Sequence, residues 1–443
     1  MNKTFIFASF RKHFLVGMSL VSFGVSAQKN ENLNERNREP QKLESSSERG
    51  QSPFDAVKGK REDLSKRDAY SKHFINEDGS YTALIGAGPI HYEKDGQFLD
   101  IEYNIVPNSD ATFSYANKAN LFESHFGATA HSGVKNVIPN GEVKEFLNTK
   151  MYWEVNGQAV NTQNSANVAV TVSGDRAIYN NIYVSISAEF TIEAGRRKLN
   201  YIIPNSQALS AAPNGANYLV FAEDIELPNG WSYSVEEFGI YLKDPSGQNI
   251  YLYESPVSVD ASNELEREAN TIYSASQNGQ ILTLLTKVKT TWLLDNNRVF
   301  PILVDPTVNI TVNNAVNWTG EIWSDGFQDG NAFRVGWNPN FGWHAGYVRY
   351  NTSSIPSGST VNSATSFINI TAGGGTNITT RTWAMTNSAD PLVTGGVALY
   401  NSFTTALSAT TQVTALGWRS SLFAPAGRTY IENALANQFV PMS

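Results

Sequence analysis

From about residue 68 onward, apolar positions come in short runs broken by turn residues, and the runs have the length and alternation of β-strands. Tyr81-Thr82-Ala83-Leu84-Ile85, Ile90-His91-Tyr92 and Phe98-Leu99-Asp100-Ile101 follow one another, separated by Gly86, Gly88-Pro89 and Lys94-Asp95-Gly96. Glycine and proline at these spacings supply the backbone conformations that tight turns demand. Residues 177–186, 198–203 (ending before Pro204), 239–242 (before Asp244-Pro245-Ser246-Gly247) and 281–288 repeat the pattern. Strands recurring about every ten residues predict a β-sandwich architecture. Long stretches of helical period are missing. A helical turn or two is expected over Asn263 to Thr271, and a short helix over Gly427 to Asn437.

The N-terminus breaks the pattern twice. Lys3, Arg11, Lys12 and His13 precede an apolar run from Phe14 to Phe23, and the small residues Val25-Ser26-Ala27 follow it, before Gln28. This reads as a secretory signal peptide over residues 1–27. The run is about half of the roughly 20 residues needed to cross a bilayer, so the mature chain is expected outside the membrane. Gln28 to Arg67 then carries ten Lys/Arg and eight Asp/Glu, few aliphatics and Ser45-Ser46-Ser47, and is expected to be a charged flexible linker. The fold class predicted is therefore all-β: two β-sandwich or jelly-roll domains, 68–305 and 306–443, behind a signal peptide and a linker. The boundary is placed at Pro306, where the composition shifts.

Composition locates the candidate chemistry. Residues 307–443 hold no lysine, five arginines, five acidic residues and six of the nine tryptophans. Such a segment must fold and hide part of its rings. The net charge of −8 disfavours a nucleic-acid partner. With no cysteine in the chain, stability rests on core burial and not on disulfides.

Catalytic constellations are poorly supported: there is no cysteine nucleophile and no G-x-S-x-G elbow. His73, His91, His125 and His131 read as packed or surface residues, and the six-residue spacing of His125 and His131 does not suit zinc. Glu236-Glu237 and Glu264, Glu266, Glu268 read as solvated surface. The loop Ser324 to Asn331 offers Asp325, Asp329 and Asn331 as oxygen ligands for calcium, with an ordinary Asx-rich turn as the alternative. Sugar binding has the stronger pattern. Trp323, Phe327, Phe333, Trp337, Phe341 and Trp343 crowd into twenty-one residues, interleaved with Arg334, Asn338 and Asn340 and followed by His344. Indole rings pack on the CH face of a pyranose, while amides and guanidinium groups bind its hydroxyls. Most of these rings are expected in the core. Trp337 and Trp343, in a loop-like stretch, are expected outside.

Two stretches resemble known families. Residues 72–81 (KHFINEDGSY) with Pro89 to Tyr92, residues 178–183 (IYNNIY) and residues 299–307 (VFPILVDPT) are similar to the β-rich N-terminal region of bacterial wall-associated and Rhs-type surface proteins. Residues 346–364 (GYVRYNTSSIPSGSTVNSA) resemble DNRLRE-type domains, jelly-roll modules related to carbohydrate-binding modules. Tyr350 stands for the family phenylalanine, Asn351 for its aspartate, Ala345 for the leading arginine and Val348 for Leu or Met. The resemblance implies a secreted, non-catalytic bacterial surface protein that recognises a polysaccharide or cell-surface glycan. It equally admits an N-terminal scaffold of a larger secreted adhesin or toxin-delivery protein. With Phe439 to Ser443 expected to trail after the short helix, either the chain is a fragment of a longer gene product or its last sheet has an exposed edge.

Overall fold

The structure, a computed structural model, describes residues 20–26, 52–138, 141–236, 239–262, 268–309, 319–329, 333–338, 341–370, 378–385, 396–408, 411–413 and 417–442. It is an all-β protein, and 55% of the described residues are strand and 10% helix. The chain divides into two compact units, residues 99–313 and residues 1–98 with 314–443. This corrects the expected division. Residues 68–98 do not belong with 99–305, because Ala83 and Ile85 pack into the same core as Val348, Tyr350, Val361 and Phe423 of the lysine-free segment.

The unit 99–313 is built on two large antiparallel sheets. One has Gly141–Val155 and Tyr218–Glu226 at its centre, extended by Ile281–Lys289 and Thr271–Asn278 on one side and Val134–Ile138 and Glu123–Phe126 on the other. The second runs from Val170–Ser173 through Arg176–Tyr183, Ile186–Glu193 and Arg196–Ile203 to Thr307–Asn309, then Asn249–Glu254, Gly239–Lys243 and Ser232–Glu236. Inward residues of both sheets share two cores. In one, Phe126, Phe146, Trp153 and Phe221 meet Tyr179, Phe190 and Tyr201, and the Tyr201 and Phe221 rings stack at 4.1 Å. In the other, Val143, Ile225 and Leu282 meet Ile240, Tyr251 and Val308. The expected runs 198–203, 239–242 and 281–288 lie in strands here, whereas 177–186 is split by a turn at 184–185 between Arg176–Tyr183 and Ile186–Glu193. The helical turn expected from Asn263 falls partly on residues 263–267, outside the described residues. From Thr271 the chain is strand.

The other unit carries the candidate site. One of its sheets orders Arg61–Glu62, Ser71–Ile75, Tyr81–Gly86, Leu20–Ser26, Thr360–Ile370 and Gly417–Leu422. The other contains Thr319–Trp323, Gly342–Asn351, Phe439–Met442, Trp383–Met385 and Phe403–Ala406, with Gln328–Asp329 at one edge and Gly336–Asn338 beside Gly342–Asn351. Two expectations are revised here. The C-terminal part of the charged linker is structured: Asp63 accepts from Ser65 N to cap a 3-10 turn, Arg67 forms a salt bridge to Glu62 at 2.6 Å, and Val57 packs on Phe74 and Leu84. The final residues do not trail. Phe439–Met442 pairs with 348–351, and the Tyr430 hydroxyl on the preceding helix, Pro425–Ala434, shares its proton between Met385 O at 2.8 Å and Pro441 O at 2.7 Å.

Candidate functional site

The lysine-free segment presents its rings through one local pairing. Gly336–Asn338 lies antiparallel to the start of Gly342–Asn351, in the register Gly336 to His344, Trp337 to Trp343 and Asn338 to Gly342. Directly opposed residues of an antiparallel pair share a face and sit about 4.5–5.5 Å apart at Cα. The two indoles therefore emerge on the same face of the strand pair, and each is 42% exposed. Both were expected outside, though in a loop; a strand pair fixes their spacing more tightly than a loop would. Gly342 makes the return possible with φ +88°, and a Cβ there would fall 2.8 Å from Ser324 Oγ.

Behind the pair the alternation reverses and the side chains are sealed. His344 and Trp323 are opposed across the next strand pair and stack at 4.1 Å, both almost fully buried. Phe341 meets Trp323 edge-on at 5.9 Å. Phe333 packs close against Gly346, where a Cβ would fall 2.6 Å from its ring. Of the ring cluster, then, Trp323 and His344 belong to the support and not to the exposed face.

One residue that sequence reasoning passed over organises this support. Glu321 is fully buried and accepts from Trp323 Nε1 at 2.9 Å, from Arg334 N at 3.1 Å and from Arg334 Nη1 at 3.1 Å. Arg334, expected to meet sugar hydroxyls, is thus tied to a carboxylate inside the unit. A lone acid within Thr319–Trp323, in a segment almost free of charge, was the available signal, since a buried carboxylate must be matched by donors. Glu321→Ala removes the acceptor that these donors share. It is expected to lower the stability of this unit by about 2–4 kcal/mol, read as a lower melting temperature of the full chain. An unchanged melting temperature would sink that assignment.

The remaining candidates scatter. Asp325 is exposed and accepts from Phe327 N at 3.1 Å, the geometry of an Asx turn, with Gly326 at φ +91°. Asp329 pairs with Glu321 in backbone register, and its side chain, like that of Asn338, is not described. Asn331 and Asn340 lie outside the described residues. Among the described residues no group of three or more His, Asp or Glu side chains could hold a metal. His125 Nε2 meets Glu123 at 2.8 Å and His131 Nε2 meets Ser165 O at 2.9 Å. A further exposed ring, Trp383 at 37%, has the Arg381 guanidinium 5.9 Å from its centre.

The strongest electrostatics lie elsewhere, inside the unit 99–313. Arg197 is ion-paired to Glu145 and donates to Asn136 Oδ1 at 2.5 Å, and the Tyr251 and Tyr253 hydroxyls both donate to Glu145 Oε1, the latter at 2.6 Å. Glu223 sits beside them, accepting from Phe146 N at 2.9 Å; burial and then the neighbouring Glu145 push its carboxyl up to about 8. Arg196 bridges Glu193 and Glu254, and burial raises Glu193 to about 7 against the pull of Lys198 and Arg196. All these side chains are buried or nearly so; Arg197, Tyr251 and Tyr253 of one sheet meet Glu145 and Asn136 of the other, whereas Glu193, Arg196 and Glu254 all belong to one sheet. No protein-family model and no curated protein matches this chain.

Proposed function

We propose that this is an exported, non-catalytic glycan-binding protein of the bacterial surface, which grips a polysaccharide or cell-surface glycan on the Trp337–Trp343 pair. The observation that carries the reading is the pair itself: two indoles opposed across one strand pair, each substantially exposed, on a rigid backing of Trp323, His344 and Glu321. Large rings left in water on a rigid element cost burial energy, and a flat apolar ligand face would recover it. The similarity of residues 346–364 to DNRLRE-type jelly-roll modules supports the same reading.

The test is a glycan array followed by titration of the best ligand. Trp337→Ala and Trp343→Ala are each expected to weaken binding by about tenfold or more, and the double substitution to abolish it. Because both rings are exposed, each variant should melt within a few degrees of the parent. Absence of any retained glycan, or binding indifferent to both substitutions, would overturn the proposal in favour of the scaffold role.

A further inference from the structure

A second buried cluster of charge in the unit 99–313 lies around the strand Arg196–Ile203. Alternation along that strand turns Arg197 towards Glu145 of the other sheet and leaves Arg196 and Lys198 on the opposite face. That face is nevertheless sealed: the side chains of Lys198, Glu193 and Asp305 are 2%, 1% and 2% exposed. Lys198 is paired in register with Thr307, and Asp305 stands two residues before Thr307. Lys198 Nζ lies 3.5 Å from Asp305 Oδ2 and 4.0 Å from Glu193 Oε1. The Thr307 hydroxyl donates to the other oxygen of Asp305, Oδ1. Arg196 bridges Glu193 and Glu254. The cluster thus sets three carboxyls, Glu193, Glu254 and Asp305, against two cations, Arg196 and Lys198. A buried group with that imbalance keeps a proton on one of its acids. Glu193 is the acid that keeps it, raised by burial to about 7 against the pull of Lys198 and Arg196.

We propose that Lys198 and Asp305 condense to an intramolecular amide, with Glu193 carrying the protons. The inference is independent of the tryptophan pair. Passing one proton from the ammonium to the carboxylate turns the pair into a neutral amine and a neutral acid, the form that an enclosed site favours and the form that reacts. Nζ then attacks Cγ of Asp305, and the paired strands already hold the two groups close to reacting distance. Negative charge develops on Oδ1, where the Thr307 hydroxyl is already aimed. Glu193 gives its proton to Oδ2 and takes one from Nζ. The Cγ–Oδ2 bond breaks, and Oδ2 leaves as water with the acid's own hydrogen and the one it received. An Nζ–Cγ amide bond takes its place, Glu193 ends as it began, and no oxidant or cofactor enters. Three features separate this cluster from an ordinary ion pair. The lysine is enclosed, a second and protonated acid stands beside it, and the carboxyl it faces is polarised at its far oxygen. The amide also removes both charges, and with them the desolvation cost of an enclosed pair.

The experiment is intact-mass spectrometry of the full chain, folded and then denatured. Its mass should fall short of the sequence mass by one water. Digestion with trypsin should give a branched peptide that joins the segments around Lys198 and Asp305, with no cleavage after Lys198. Glu193→Gln should cut the linked fraction at least about tenfold, the scale of a lost proton carrier, and Lys198→Met should abolish it. Asp305→Asn should still link, with loss of ammonia in place of water, a signature that an ion pair has no means to give. The link closes residues 198–305 into a ring, so the parent should also melt above Lys198→Met. Should a variant fail to fold, the mass and digest of the unaltered chain decide alone. A folded chain of full mass that trypsin cuts after Lys198 would overturn the proposal, and so would a link made to Glu193 in place of Asp305.

Discussion

Arg197→Met is expected to destabilise the unit 99–313 by about 3–5 kcal/mol, because it leaves the Glu145 carboxylate in the core without its cation. The Arg197–Glu145 pair is fully enclosed, and the Tyr251 and Tyr253 hydroxyls that also serve Glu145 are neutral donors that do not replace a charge. Desolvation costs the two ions most of what their attraction returns, so the pair adds little net stability while a broken pair costs a great deal. The companion experiment separates these terms. Adding Glu145→Gln to Arg197→Met keeps an acceptor for the tyrosines, removes the orphaned charge and should recover most of the loss. Calorimetry of the full chain measures both, with the transition of this unit followed separately from that of the other. A single variant that melts with the parent would show that the pair is not the lock described.

The second large effect is in pH. Glu223 is held protonated in the folded chain up to about pH 8, chiefly by burial and then by Glu145, while in the unfolded chain it ionises near its ordinary value of 4.5. Between those values the folded state holds a proton that the unfolded state has released. The stability this group contributes is therefore fully present below about pH 4.5 and is lost progressively as pH rises towards 8. Glu223→Gln cannot ionise, so it should match the parent near pH 5 and exceed it at pH 8.5 by up to ~4 kcal/mol, since each pH unit separating the two ionisations is worth about 1.4 kcal/mol. Glu193 tilts both proteins in the same sense, and the exposed Asp55, Asp63, Asp78 and Asp244, lowered mainly by hydrogen bonds to nearby serines, tilt them in the opposite one. The difference between variant and parent isolates Glu223. Parallel stability curves for the two would reject the assignment.

Much of the strand content could be read from the chain because strand propensity and turn residues are local. Tyr81 to Ile85, Lys198 to Ile203 and Ile281 to Val288 announce themselves by short apolar runs and by a glycine or proline nearby: Gly86 and Pro204 after the first two, Gly279 before the third. What escaped was set by distant partners. The place of residues 68–98 depends on Ala83 and Ile85 meeting Val348 and Tyr350, a pairing with no local mark. Phe439 to Met442 looked too short and too close to a helix to be a strand, and it becomes one only because Gly342–Asn351 offers it an edge. Within the candidate site, aromatic density marks the cluster, and the choice of Trp337 and Trp343 rests on their loop-like context. The inward face of Trp323 and its stacking on His344 are a matter of register, which no local pattern gives. Glu321 was missed for a related reason: an acid reads as surface until its donors are known.

The division of the chain also has a bearing on how it is made. Strands Ser71–Ile75 and Tyr81–Gly86 leave the ribosome long before Gly342–Asn351 and Phe439–Met442, the elements that complete their unit. The two large sheets of residues 99–313 are built from strands within that stretch, so this unit can finish first. Their early closure draws the two halves of the other unit nearer and reduces the entropy that must be given up when those halves join. The early half must meanwhile wait with Ala83 and Ile85 uncovered, since their core partners lie in residues 348–442. Until that late pairing is made, the uncovered strands of the early half are open to wrong pairing.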